Sequence, residues 1–135
     1  MSNPIRIFTD GACSGNPGPM GVGIVILDGT SRREFTQYLG QGTNNIAELT
    51  AIELALKHLS KTQKQSPIEL YTDSAYAIGV LAQGFKAKAN KELVENLRIK
   101  LKAFPHLRFV KVAGHAGVVE NERCDELARQ AVSQH

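Results

Sequence analysis

Four carboxylates stand out for where they fall in the chain: Asp10, Glu48, Asp73 and Asp125. Asp10 closes an apolar run at 5–9, and Asp73 closes another at 68–72. In an open sheet with crossover helices, ligands gather at the carboxyl ends of the parallel strands. If those two runs are neighbouring strands, both carboxylates emerge side by side at that edge. Glu48 lies in the first turn or two of a helical pattern, and Asp125 lies early in the last one. Taken singly, each has a plainer reading: an acid after a strand caps a helix, and an acid early in a helix answers its dipole. Together they describe one converging cluster. Such a group, ionised in a cleft, repels itself at a cost of roughly several kcal/mol, which a divalent cation removes. Hard oxygen donors suit Mg²⁺, with Mn²⁺ as a substitute. The cluster can hold two ions about 3.5–4 Å apart, the arrangement that activates water and stabilises the leaving oxygen in phosphodiester cleavage.

The elements that must position these acids are readable from period and punctuation. Residues 5–9 predict a strand, and the glycines and prolines of 11–19 predict a tight loop. A second strand follows at 20–28, with glycines that leave room for something to pack closely. After the turn pair Asp28-Gly29 a third strand returns over 32–40. Ile46, Leu49, Ile52, Leu56 and Leu59 then follow helical spacing, with Thr43 or Asn44 as cap. A strand over 68–72 leads to a short helix over 75–83 capped by Ser74, and a further helix covers 91–103. A fifth strand at 107–112, a glycine loop at 113–118 and a helix at about 121–133 complete the chain. A hairpin meander followed by strand–helix crossovers predicts an α/β fold: a five-stranded mixed sheet with helices on both faces.

Composition bounds the rest. At 135 residues the chain is read as a single domain, 1–135, with 42% hydrophobic and 21% charged residues. That excludes disorder, collagen and a whole-chain coiled coil. No apolar run approaches the roughly 20 residues of a membrane helix, and nothing at the start resembles an export signal, so a cytoplasmic monomer without a membrane partner is expected. Cys13 and Cys124 are too few for a disulfide scaffold and are read as reduced thiols. The formal charge of +3 is mild. It is unevenly spread: residues 86–111 hold eight Lys and Arg against Glu92 and Glu95, a local surplus of six. That asymmetry favours a phosphate-binding flank.

Four motifs in order carry a resemblance: FTDGACSGNPGP at 8–19, TNNIAEL at 43–49, YTDS at 71–74, and GHAG at 114–117 followed by ENERCDELAR at 120–129. The chain resembles type 1 ribonuclease H from about residue 5 to 131. The resemblance implies the ribonuclease H fold and endonucleolytic hydrolysis of the RNA strand of an RNA–DNA hybrid, leaving 5′-phosphate and 3′-hydroxyl ends. It places the catalytic, metal-holding acids on Asp10, Glu48, Asp73 and Asp125, and a proton-shuttling or product-releasing histidine on His115. Asn121 is implied as a holder of a metal-site water.

The same resemblance distributes the substrate contacts. Gly11, Cys13 and Gly15 would lie along the RNA strand, where touching 2′-hydroxyls tells RNA from DNA, and Glu48 would accept from one of them. Asn16, Asn44 and Asn45 would reach base edges in the minor groove, where the code is degenerate and little sequence preference follows. For Asn44 and Asn45, helix capping is the competing role. Thr43 and Asn90 match a phosphate pocket for the DNA strand, with Gln41 where some relatives carry arginine. Tyr76 matches an aromatic position that packs on deoxyribose, and Phe85 adds to it. The tryptophan-rich basic protrusion of some bacterial members is absent; 84–91 stands in its place, and the chain has no tryptophan. Two other classes remain as alternatives: a non-catalytic nucleic-acid-binding module, and a DNA-acting metal nuclease of the same superfold.

Overall fold

A single sheet organises the protein, with strands in the order β3-β2-β1-β4-β5. The structure, a computed structural model, describes residues 3–113 and 118–135. The strands are β1 (Ile5–Cys13), β2 (Gly18–Asp28), β3 (Ser31–Gly42), β4 (Ile68–Thr72) and β5 (Leu107–Lys111). The helices are α1 (Asn44–Lys57), α2 (Lys61–Lys64), α3 (Ala75–Ala82), α4 (Lys91–Leu101) and α5 (Val119–Ser133). The β1–β2 and β2–β3 pairs are antiparallel, and the β1–β4 and β4–β5 pairs are parallel, so the sheet is mixed as the pattern predicts.

The pleat sorts the core onto two faces. Ile5 and Ile7 of β1, Ile24 and Ile26 of β2 and Leu70 of β4 pack with Leu49 and Ile52 of α1 and Val94 and Leu97 of α4. The alternate residues Phe8 and Val25 point the other way and meet Cys124 and Leu127 of α5. Helices therefore cover both faces, because successive strand side chains point to opposite sides. Each fully buried Ile or Leu stabilises the fold by about 1.5–3 kcal/mol. Among the described residues, no helix is long and apolar enough to cross a membrane.

Several boundaries differ from the sequence reading, most of them by one or two residues, and one element is added. β1 does not stop at Asp10, and 11–13 is not loop: Gly11, Ala12 and Cys13 stay paired with Val22, Gly21 and Met20 of β2. An antiparallel partner keeps the ladder going through glycine, and only 14–17 turns. Asp10 instead lies just past Phe8↔Tyr71, the last residue pair of the parallel β1–β4 ladder. α5 starts at Val119 rather than 121. The one-turn α2 was not anticipated, although Ser60 and Gln63 form a reciprocal capping box at 2.9 and 3.2 Å, a pattern that the sequence carries.

The glycines of β2 admit α5. A Cβ on Gly23 would lie 2.1 Å from the Cys124 carbonyl oxygen and 2.8 Å from Leu127 Cβ. Gly23 is the register partner of Asp10. Its bare Cα thus lets the α5 backbone lie against the sheet beside the first acid. Gly23→Ala is expected to lower stability by about 2 kcal/mol, measured by urea denaturation; a variant as stable as wild type would show that α5 is not held by this contact.

Candidate active site

Asp10 and Asp73 occupy equivalent places on neighbouring strands. The β1–β4 ladder ends at Phe8↔Tyr71, and each acid lies two residues beyond its member of that pair. The Phe8 and Tyr71 rings stack beneath them, centroids 4.5 Å apart. The capping role belongs to Ser74 and not to Asp73: Ser74 Oγ accepts the Ala77 N–H at 3.0 Å, leaving the aspartate out of the helix. Glu48 comes from α1, whose first turn holds no acid, so a dipole partner is not its role. Its Oε1 accepts the Gly11 N–H at 2.6 Å. That bond needs glycine, because a Cβ on Gly11 would stand 2.5 Å from the Glu48 backbone nitrogen.

Three of the four expected acids meet. One carboxylate oxygen from each of Asp10, Glu48 and Asp73 lies within 4.8 Å of the others. Asp125 is close enough to act on Asp10 by charge and hydrogen bond. It is also half exposed, and Arg129 Nε donates to its Oδ2 at 3.0 Å. The electrostatics follow from this crowding. Burial, then the charges of Asp73 and Asp125, push the Asp10 carboxyl from 3.8 up to about 8. Burial, then the charges of Asp10 and Asp73, push Glu48 well above the usual carboxylate range, against the opposing Gly11 hydrogen bond. A set of hard oxygen donors, crowded and short of positive charge, fits a divalent cation, which Asp10, Glu48 and Asp73 could hold.

With this geometry in view, comparison with known proteins is specific. A family model described as RNase H matches residues 2–133. The chain belongs to the ribonuclease H family. It is 40% identical over 145 residues to the Ribonuclease H of Chlorobium limicola, covering 98% of this chain and 97% of that one. It is 41% identical over 142 residues to the Ribonuclease H of Symbiobacterium thermophilum, covering 96% and 95%. The fold superposes with a TM-score of 0.84 on LC11-RNase H1 in complex with an RNA/DNA hybrid, at 31% identity and 96% and 97% coverage. With RNase H1 from the halophilic archaeon Halobacterium salinarum the TM-score is 0.80, at 29% identity and 98% and 100% coverage.

The other residues singled out for this ribonuclease H family chain fall as follows. Cys13 Sγ donates to the Gly15 carbonyl at 2.8 Å, and Gly15 turns the chain with φ +77°. Asn16 Oδ1 accepts the Asn44 N–H at 3.0 Å, joining the β1–β2 turn to the start of α1. The cap of α1 is Thr43, whose Oγ1 accepts the Ile46 N–H at 3.2 Å, so Asn44 and Asn45 are exposed first-turn residues and not caps. Tyr76 and Asn90 meet: Asn90 Nδ2 donates to the Tyr76 hydroxyl at 3.3 Å. Asn121 Oδ1 is buried with no hydrogen-bond partner among the described residues. His115 lies outside the described residues.

Three of the eight flank cations are engaged internally, Arg98 with Glu95, Lys100 with Glu53 and Arg108 with Glu69. Lys86, Lys88, Lys91, Lys102 and Lys111 have no ion-pair partner among the described residues. The sequence reading missed two features of the site. One is the hold of Arg129 on Asp125, for which the i,i+4 spacing was the available signal. The other is Cys124, whose thiol donates to the Phe8 carbonyl at 3.2 Å and seats α5 on β1.

These raised carboxyls predict a pH dependence. Folding binds protons to groups that the unfolded chain releases near pH 4, so stability in chelator is lost as pH rises from about 4 towards the Asp10 value of about 8. Asp10→Asn, which removes one charge, is expected to flatten that decline and to stabilise the metal-free protein at pH 7.5 by about 1–3 kcal/mol. Thermal melts in chelator across pH 4–8 measure both. Equal slopes for the two proteins would show that the acids do not repel in the fold.

Proposed function

We propose that the protein is an endoribonuclease that hydrolyses the RNA strand of RNA–DNA hybrids with two Mg²⁺ ions, leaving 5′-phosphate and 3′-hydroxyl ends. The observation that carries this reading is the convergence of Asp10, Glu48 and Asp73 at one sheet edge. The similarity to LC11-RNase H1, solved in complex with an RNA/DNA hybrid, supports the substrate. Asp10, Glu48, Asp73 and Asp125 would hold the ions, with Mn²⁺ as a substitute. Bound there, the cations supply Lewis acidity at the attacking water and at the leaving oxygen.

The chain's own groups supply orientation. The Gly11 N–H fixes one oxygen of Glu48, leaving the other for a cation or a 2′-hydroxyl. Asp125 already acts on Asp10, and its exposed ion pair with Arg129, of small energy on the order of 0.5 kcal/mol, does not bar it from a cation. Asn121, with its buried oxygen unpartnered among the described residues, is suited to hold a water. Asn16, Asn44 and Asn45 line the start of α1 beside Gly11, Cys13 and Gly15, a set of amides and bare backbone suited to a minor groove. Thr43, Asn90, Tyr76 and the lysines without an ion-pair partner among the described residues would meet the partner strand. His115 is assigned the movement of a proton at the departing strand. The chain acts as one catalytic domain.

A labelled RNA–DNA hybrid, double-stranded RNA and double-stranded DNA, each incubated with Mg²⁺, test this reading. The hybrid is expected to be cut in its RNA strand, giving 5′-phosphate ends. Cleavage of DNA alone would point to a DNA-acting nuclease, and hybrid binding without cuts in Mg²⁺ or Mn²⁺ to a binding module. Asp10→Asn should reduce turnover at least about 10³-fold while the protein stays folded, and His115→Ala should reduce it roughly 10²-fold. Wild-type turnover in a folded Asp10→Asn protein would refute the assignment.

A further inference from the structure

The connection between α3 and α4, residues 83–90, has no regular structure, yet it is tied at both ends. At its far end the Tyr76 hydroxyl donates to the Ala89 carbonyl at 3.3 Å. At its near end the tie is Arg98, which reaches across from α4 with all three guanidinium nitrogens engaged. Nε donates to the Val80 carbonyl at 2.9 Å, Nη2 to the Phe85 carbonyl at 2.8 Å, and Nη1 to Glu95 at 2.9 Å. The Val80 carbonyl is among the last four of α3, which lack partners inside their helix. Arg98 therefore closes the C-terminus of α3 and anchors the following turn with one planar fork.

That anchor holds an aromatic ring in an unusual place. The Phe85 N–H donates to the Gly79 carbonyl at 3.0 Å. A Cβ on Gly79 would lie 2.6 Å from a Phe85 ring carbon, so the ring rests against the bare Cα of the helix. Phe85 is nevertheless 59% exposed, the one aromatic among the exposed large hydrophobic side chains of the described residues. Lys86 and Lys88 follow it, both exposed and without ion-pair partners among the described residues. A fixed aromatic face beside ammonium groups is the chemistry that takes up a nucleic-acid strand: ring against sugar or base, lysines against phosphate.

We propose that Arg98 is a positioning residue for substrate binding. By pinning the Phe85 carbonyl to the end of α3, it presents Phe85, Lys86 and Lys88 already ordered to the uncut strand. Ordering the loop beforehand avoids an entropic cost at binding. The proposal rests on the hybrid-cleavage reading above. It assigns a function to two residues, Gly79 and Arg98, that neither the acid cluster nor the groove amides explain.

The test is a double-mutant cycle on the full-length protein, with Arg98→Lys, Phe85→Ala and the double variant. Hybrid affinity is read by fluorescence anisotropy with Ca²⁺ in place of Mg²⁺, and KM and kcat are read with Mg²⁺. Arg98→Lys keeps the charge and loses the fork. It should raise Kd and KM about three- to tenfold with kcat unchanged. Phe85→Ala should do the same, Phe85→Trp should retain affinity, and the double variant should be no worse than Phe85→Ala. Additive losses, or a fall in kcat at constant KM, would overturn the positioning role. If Arg98→Lys does not fold, an unchanged KM in Phe85→Ala overturns it alone. A wild-type protein that neither binds nor cuts hybrid would sink the substrate reading and this inference together. Tight binding and cutting by wild type and Arg98→Lys alike would sink only the inference.

Discussion

Asp10, Glu48 and Asp73 bring like charges within 4.8 Å of one another in a place largely withdrawn from water, on backbones that the fold holds together. Asp10 and Asp73 ride on hydrogen-bonded parallel strands whose last pairing lies just before them. Glu48 is fixed by a 2.6 Å bond to the β1 backbone. Moving the backbones apart would mean breaking the β1–β4 pairing or the Gly11–Glu48 hydrogen bond. The charge is answered instead by a proton or by a cation, and this choice links the stability of the metal-free protein to the chemistry of the site.

Close backbone approach is the second requirement, and it is met by missing side chains. Gly11 lets α1 come near enough for its amide to reach Glu48, and Gly23 lets α5 settle opposite Asp10. The second contact is reinforced from the helix side, where Cys124 donates to the Phe8 carbonyl and Arg123 grips Glu34 of β3 at 3.0 Å. The residue after Cys124 is Asp125, so the same packing that completes the second core carries the fourth acid to the edge. Packing and placement of chemistry are one event here.

Charge is divided across the molecule to suit an anionic substrate. The acidic edge repels phosphate unless cations occupy it, while the α3–α4 connection and α4 carry the positive surplus. The structure trims that surplus, because Arg98, Lys100 and Arg108 are tied to Glu95, Glu53 and Glu69. What remains are lysines that attract at long range and are screened by salt, two of them, Lys86 and Lys88, close in the chain to an aromatic ring, Phe85, that acts only in contact.

Much of this was legible in the residues themselves. Period and punctuation located β4 at 68–72 and the start of α3 correctly, because a short buried strand bounded by Pro67 and Asp73 has no competing local reading. The same signals misplaced the end of β1: glycines read as loop are held in the ladder by a partner strand that local pattern does not reveal. At the level of the site, residue types alone determined that hard oxygen donors were present at strand ends and early helix turns, and hence which kind of ion they suit. Only the tertiary structure decided that Asp10, Glu48 and Asp73 meet, and that Asp125 comes near enough to act on Asp10. Those outcomes depend on strand register and on the helix approach set by Gly11 and Gly23. Each is a distance between residues far apart in the chain, and composition and spacing carry no distances.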